Sequence, residues 1–357
     1  MPVPAPALTS VGLSRRGLLF GALGAGALGV GTLLSACGGG SDAADPSADP
    51  SGSASGNSGG SGTADFPVTV EGAEGPATVE KKPERVLSVG YLRDTDIALA
   101  LGATLVAVPN NAVFENGLAP WQQEAASVER FDTTDGLPYE KLAAYTPDVI
   151  LASDDYTLPQ DYPTLTKIAP TLGYQTGPGA DSWQDMTTRA GQVLGLGDQA
   201  TEAITRTEKA IEDAKAASPG LEGKTFVFGP VQGLDSIHSI SNEKDASAQF
   251  FSQFGMTLSP GITALPDSET PGRAIISPER MELLEADVLI LTYADDAAKS
   301  QLEEQKLFQN LDVVKRGSYV ALTMNDAIAL GFPSVLSIPY GLENVLPRIV
   351  EAAGKSE

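Results

Sequence analysis

The sequence predicts an α/β fold built as two related lobes, and three observations predict it. Short apolar runs of β type alternate with amphipathic helical stretches, as in sheets covered by helices on both faces. A pattern in the first half of the folded region returns, in the same order, in the second. The region from Phe66 onward holds about 290 residues, enough for two lobes of roughly 120 to 150 residues each.

Taken in order, the expected strands are 86–89, 105–108, 149–152, 225–228, 288–291 and 319–322. Most are apolar throughout, as strands buried on both faces are. The expected helices are 94–101, 139–144, 183–194, 198–217, 246–254, 278–284 and 335–353. In 198–217, Ala200, Ala203, Ile204, Ala210, Ile211 and Ala214 make one stripe, with Glu202, Arg206, Lys209 and Asp213 outside it. Asp198, following Gly197, is its expected N-cap. This helix lies midway along the folded region, where a bridge between lobes would run.

The recurrence is specific in its spacing. Glu140-x7-Asp148-Val149-Ile150-Leu151 is echoed by Glu279-x7-Asp287-Val288-Leu289-Ile290. Each is a helix with an early glutamate, a short turn and a buried strand. Upstream of each stands a Gly-x-Thr-Leu, Gly102-Ala103-Thr104-Leu105 and Gly255-Met256-Thr257-Leu258. Two matches in one order point to a duplicated α/β unit.

Residues 1–37 read as an export signal. Arg15 and Arg16 supply its charge, and Ser14-Arg15-Arg16-Gly17-Leu18-Leu19 resembles the twin-arginine motif. It departs from that motif in having Leu18 where Phe is common and Phe20 where Lys is common. The following apolar stretch is Gly-rich and weaker than the ~20 strongly apolar residues of a membrane span. It ends in Leu34-Ser35-Ala36-Cys37, the cleavage pattern of a bacterial lipoprotein, in which the cysteine is lipidated and becomes the new N-terminus. Several acyl chains on Cys37 would hold the chain firmly to the outer face of the membrane. Gly24-Ala25-Gly26-Ala27-Leu28-Gly29 matches a dinucleotide fingerprint, but no strand precedes it and it leaves with the signal. Residues 38–64, mostly Gly, Ser, Ala, Asp and Pro, form an expected flexible tether.

Composition excludes several functions. Cys37 is the only cysteine and His238 the only histidine. The folded region therefore has no disulfide, no thiolate metal site and no multi-histidine site, and no metal ligand is assigned. The net charge of -23 argues against nucleic acid, because such a surface repels a polyanion. Its plainer consequence is solubility.

Other segments resemble a known family. Lys82-Pro83-Glu84-Arg85-Val86 leads into a strand, and Ala98-Leu99-Ala100-Leu101-Gly102 follows. Pro147-Asp148-Val149-Ile150-Leu151, Leu165-x-x-Ile168-Ala169-Pro170-Thr171 and Trp183-x7-Gly191-x-x-Leu194-Gly195 come next. Phe308-Gln309-Asn310-Leu311 and Gly317-Ser318-Tyr319-Val320 complete the series. As an ordered set spanning most of 66–353, these resemble the iron–siderophore (ferric siderophore/cobalamin type) solute-binding lipoproteins of ABC importers. The resemblance implies the class III solute-binding fold: two Rossmann-like α/β lobes joined by one long helix, ligand in the cleft between them, and small closure on binding. The implied division is a signal in 1–37, a tether in 38–64, an N-terminal lobe in 65–195, an inter-lobe helix in 196–218 and a C-terminal lobe in 219–357. It also implies a glutamate on each lobe that docks on the permease, at Glu140 and Glu279. The plainer reading of both is an acid favoured at a helix start by the macrodipole. No cofactor is implied; the ligand is a ferric siderophore, the partners are permease subunits, and the chain is a monomer.

A cleft that holds a ferric siderophore wants Arg forks for anionic oxygens and aromatic faces for the rims. Open α/β sheets bind ligands on the loops that follow strands. The candidates there are Tyr91 and Arg93 after the first strand, and Tyr156 in Asp154-Asp155-Tyr156. In the second lobe they are Arg273 in Pro271-Gly272-Arg273, Tyr293, Asn325 in Thr323-Met324-Asn325, and Phe332. Each is singly as compatible with rim packing or a solvated loop. Trp183 heads a helix and reads as a packing anchor, and His238 as an ordinary strand residue.

Three function classes compete. A binding protein for a ferric siderophore, or for cobalamin or haem on the same fold, accounts for the leader and the ordered motifs. A surface hydrolase needs a histidine base, for which only His238 exists, and no G-x-S-x-G elbow stands in the folded region. A structural lipoprotein needs no cleft with convergent Arg and Tyr.

Overall fold

The computed structural model describes residues 65–268 and 272–356. The signal, Cys37, the tether and Pro271 lie outside the described residues. The chain opens with an antiparallel pair, β1 (Val68–Val70) and β2 (Ala77–Val79). A sheet follows, made of β3 (Val86–Ser88), β4 (Leu105–Pro109), β5 (Glu129–Phe131), β6 (Val149–Ala152) and β7 (Thr171–Gly173). Its order is β5-β4-β3-β6-β7 and every pairing is parallel. The helices of this half are α1 (Arg93–Ala100), α2 (Tyr139–Ala144), α3 (Leu158–Leu165) and α4 (Trp183–Leu194), with a 3-10 stretch at Pro120–Ser127. Then comes α5 (Gly197–Ala217), the longest helix among the described residues.

A second sheet is built from β8 (Thr225–Gly233), β9 (Ser236–Ile240), β10 (Thr257–Leu258), β11 (Arg273–Ile276), β12 (Val288–Tyr293) and β13 (Tyr319–Leu322). Its order is β11-β9-β8-β12-β13, with β10 beside the start of β8. The pairings β8–β12, β12–β13 and β8–β10 are parallel. A two-residue turn at Leu234 and Asp235 folds β9 back on β8, so this sheet carries an antiparallel edge that the first lacks. Its helices are α6 (Ala246–Ser252), α7 (Pro260–Thr263), α8 (Asp296–Glu303), α9 (Lys306–Gln309), α10 (Asp312–Lys315), α11 (Met324–Gly331), α12 (Ser337–Asn344) and α13 (Leu346–Ala353).

Alternation along the strands decides which helices cover which face. Val86, Val149 and Leu151 face one way, onto Ile97 of α1 and onto Met186 and Ala190 of α4. Leu87, Ile150 and Ala152 face the other, onto Leu142 of α2 and onto Leu158 and Leu165 of α3. The second sheet repeats this: Phe226, Phe228, Val288 and Ile290 join the first core, while Val227, Leu289 and Leu291 join another with Leu302 and Phe308. One apolar cluster therefore runs from the first sheet through Ala200, Ala203 and Ile211 of α5 into the second sheet. The stripe expected on α5 is its inner face, with Thr207 also buried and bonded to the Ala203 carbonyl.

Several expectations are corrected. Leu196, not Asp198, is the N-cap of α5, and Asp198 lies in the first turn without capping it. The helix expected over 335–353 is two helices, because Pro347 has no N–H to continue the first. The segment Pro278–Leu284 is 3-10 with a break at Arg280, and α6 stops at Ser252. Asn325 is not in a loop: Thr323 accepts from the Asp326 N–H and Asp326 from the Thr323 N–H, a capping box that starts α11.

Candidate functional site

In the first sheet the strand order reverses between β3 and β6, and the loops leaving these neighbours meet at their C-terminal ends. There the loops clasp one another. Asp154 Oδ2 accepts from the backbone N–H groups of Leu92 and Arg93, both at 2.9 Å, and so caps α1 from outside. Its Oδ1 accepts from Arg93 Nε at 2.8 Å and from a terminal guanidinium nitrogen at 2.5 Å. In return Asp94 accepts from the N–H groups of Ser153 and Asp154, at 3.2 and 2.9 Å. Gly90 is required at this junction, since a Cβ there would stand 2.1 Å from the Asp94 carboxylate. Burial pushes the Asp94 carboxyl up to about 7, helped by the neighbouring Asp154 charge.

A hollow of about 410 Å3 opens at this edge, between the ends of β3, β4, β5 and β6. Its wall includes Tyr91, Asn110, Asn111, Thr134, Asp155 and Tyr156. A second hollow, of about 580 Å3, is lined from both halves of the chain: Arg93, Asp181 and Trp183 on one side, Lys244, Gln249 and Pro333 on the other. Tyr156 stands between the two, walling the first and reaching toward Gly179 of the second.

Three expected aromatic residues converge here. The Phe332 ring, at the end of α11, lies 4.9 Å from the ring of Tyr91 and 6.4 Å from that of Tyr156. Behind them Leu92, Phe114, Ala119 and Ile328 form a small apolar cluster contributed by both halves. Tyr156 remains 49% exposed, an open aromatic face beside the hollow. Burial raises the Tyr91 phenol, so it stays a neutral hydrogen-bonding group.

The other expected residues are placed differently. Arg93 does border the shared hollow, but it is buried and engaged by Asp154. Arg273, on the edge strand β11, lies 2.6 Å from the Asp245 carboxylate. Tyr293 is 8% exposed in the core of the second half and its hydroxyl meets that of Tyr319, which donates to Glu303 at 3.0 Å. It lines neither hollow, because β12 runs on through position 293 instead of ending at Leu291. Asn325 lines neither hollow. His238 bonds Ser236 at 2.7 Å within β9, and Trp183 is buried in the shared core while bordering the shared hollow. Glu140 and Glu279 are exposed, and neither side chain has a hydrogen bond or ion pair among the described residues.

One functional group was not foreseen. Asp96, with no exposed surface, accepts from Trp121 Nε1 at 3.0 Å, from Gln122 Nε2 at 2.6 Å and from Ser334 Oγ at 2.5 Å. Ser334 belongs to the second half, so a buried hydrogen bond ties the halves together at the base of the aromatic cluster. The signal in the sequence was an acid on the apolar side of a helix, which needs a partner when buried.

Among the described residues no cluster of three or more His, Cys, Asp or Glu side chains could hold a metal ion. Nor is any helix among them long and apolar enough to cross a membrane.

The sequence profile of the periplasmic binding protein family matches residues 87–324. The ferric enterobactin-binding periplasmic protein FepB of Escherichia coli is 30% identical over 227 residues, 59% of this chain and 68% of that protein. The crystal structure of the substrate-binding protein PiaA of Streptococcus pneumoniae in complex with ferrichrome aligns at a TM-score of 0.68 and 28% identity, over 81% of this chain and all of PiaA, 100%. A periplasmic solute-binding protein of Mycobacterium smegmatis aligns at a TM-score of 0.69 and 28% identity, over 80% of this chain and 99% of that one. The chain belongs to the periplasmic binding protein family, whose members bind substrates for transport.

Proposed function

We propose that this periplasmic binding protein captures a ferric siderophore at the aromatic cleft and delivers it to an ABC importer permease. One observation carries the reading: Tyr91, Tyr156 and Phe332 come from both halves of the chain and meet beside the hollows at the strand-order switch point. Aromatic faces and hydroxyls suit a chelate whose organic shell already fills the coordination sphere of iron. The names of FepB, which binds ferric enterobactin, and of PiaA with ferrichrome support the same cargo class. The proposal includes export by the signal in 1–37, by the twin-arginine route, and lipid anchoring through Cys37 on the tether 38–64. It also divides the folded region into a lobe over 65–195, the linking helix over 196–218 and a lobe over 219–357.

Tryptophan quenching tests the cargo. Trp121 packs edge-on to Phe114 and against Tyr340, and Trp183 borders the shared hollow. Ferric siderophores are expected to quench them saturably, at concentrations below about 1 μM. Saturation by haem or cobalamin, with none by any ferric siderophore, would overturn the reading.

A further inference from the structure

The charge around the cleft selects among ferric chelates, an inference that rests on the siderophore reading above. The expectation that Arg93 and Arg273 grip anionic oxygens meets a specific obstacle. Each is already neutralised by an aspartate: Arg93 by Asp154 at 2.5 Å and Arg273 by Asp245 at 2.6 Å. A third, Arg189, lies 3.5 Å from Asp181 of the shared hollow and donates to the Glu71 carbonyl. The hollow at the first sheet has no Lys, Arg or His in its wall, only Asp154 and Asp155 among charged residues. Asp155 Oδ2 is buried without a hydrogen-bond partner among the described residues, and Thr157 Oγ1 bridges Asp155 to Asp161 at 2.9 and 2.6 Å, so a further carboxyl stands close behind. Opposing this excess is Lys244, exposed on the rim of the shared hollow and without an ion-pair partner among the described residues.

Chelates differ sharply in charge. Iron(III) held by three hydroxamates is neutral, and positive if the ligand carries an ammonium. Held by three catecholates it is trianionic. A multiply anionic chelate placed here would be desolvated against the Asp155 carboxyl, which has no cation beside it among the described residues and has Asp161 behind it, with the exposed Lys244 to offset it. A neutral chelate needs only hydroxyls, amides and aromatic faces, which Tyr91, Asn110, Asn111, Thr134 and Tyr156 present. We infer that the cargo is a ferric trihydroxamate of zero or positive net charge, and that trianionic tricatecholates are rejected.

Calorimetric titration of the full-length chain in detergent tests this, with ferrichrome (neutral), ferrioxamine B (positive) and ferric enterobactin (trianionic) as probes. The first two are expected to bind at least about 100-fold more tightly than the third. Asp245→Asn supplies the second arm. Asn keeps the cap on α6, where Asp245 accepts from the Ser247 N–H at 2.9 Å, but releases Arg273. The variant is expected to bind ferric enterobactin about tenfold better and ferrichrome within about twofold of the parent. Ferric enterobactin binding as tightly as the trihydroxamates overturns the charge inference while leaving the siderophore reading intact. An Asp245→Asn variant that shifts both chelates equally, or neither, also overturns it. Binding of none of the three overturns both.

Discussion

Asp96 shows what one buried carboxylate contributes. Three donors point at it, Trp121 and Gln122 from one stretch of the first half and Ser334 from the second, and Gln122 also reaches the Leu92 carbonyl at 3.3 Å. Asp96→Ala would leave Trp121 Nε1 and Ser334 Oγ without their acceptor and Gln122 Nε2 with the Leu92 carbonyl alone, a loss of about 3 kcal/mol in urea denaturation. Burial pushes the Asp96 carboxyl up to about 7, against the lowering by its three hydrogen bonds. A folded-state value above the unfolded one means the protonated carboxyl favours the fold. That contribution is complete below about pH 4 and is lost as pH rises through about 7. The parent is therefore expected to gain, on the order of 2 kcal/mol, relative to Asp96→Asn between about pH 8 and pH 5. Asp94 titrates in the same window but is present in both proteins, so it cancels in the comparison. Equal pH slopes for the two would contradict the account.

At the scale of elements, the internal repeat has a structural meaning. Asp148, before β6, accepts from the N–H groups of Glu84 and Arg85 at the entry to β3, at 3.0 and 3.1 Å. Asp287, before β12, accepts from the N–H and hydroxyl of Thr225 at the entry to β8, at 2.7 and 2.9 Å. The two Gly-x-Thr-Leu motifs likewise turn on left-handed glycines, Gly102 at φ 69° and Gly255 at φ 78°, and enter β4 and β10 beside those same strands. Asp148→Ala and Asp287→Ala are each expected to cost about 1 kcal/mol in urea denaturation, and to add nearly fully in the double variant because they serve different sheets. A cost at only one position would contradict the equivalence. Spacing made these units legible, because each depends on residues close in sequence and on apolar runs such as Val149-Ile150-Leu151. The break before α13 was missed, although Pro347 signals it. What sequence could not supply was pairing at long range. Whether Arg93 faces a ligand or Asp154, and whether Tyr91 meets Phe332, depends on how loops and halves pack. The aromatic candidates Tyr91, Tyr156 and Phe332 came together, whereas Tyr293 was drawn into the core by strand continuation and the arginines were drawn to aspartates.

For the whole molecule, the continuous core through α5 argues for a stiff receptor. Domain closure would have to break packing at Ala200, Ala203 and Ile211, as well as the buried Asp96–Ser334 bond. Loaded and empty states would then differ little, and a permease would read cargo from the rim. Glu140 on α2 and Glu279 on the Pro278–Leu284 turn are exposed carboxylates without a hydrogen-bond or ion-pair partner among the described residues, at corresponding points of the repeat. Replacing both by alanine is expected to abolish cellular uptake of iron-loaded siderophore while leaving affinity within about twofold. A fall in affinity instead would place them at the ligand and not at the permease. The most direct measurement of the cargo site is the anomalous scattering of iron from crystals grown with ferrichrome. One strong peak is expected at the C-terminal edge of the first sheet, facing Tyr91, Tyr156 and Phe332. A peak on an outer surface, or none from crystals that bind the chelate in solution, would contradict it.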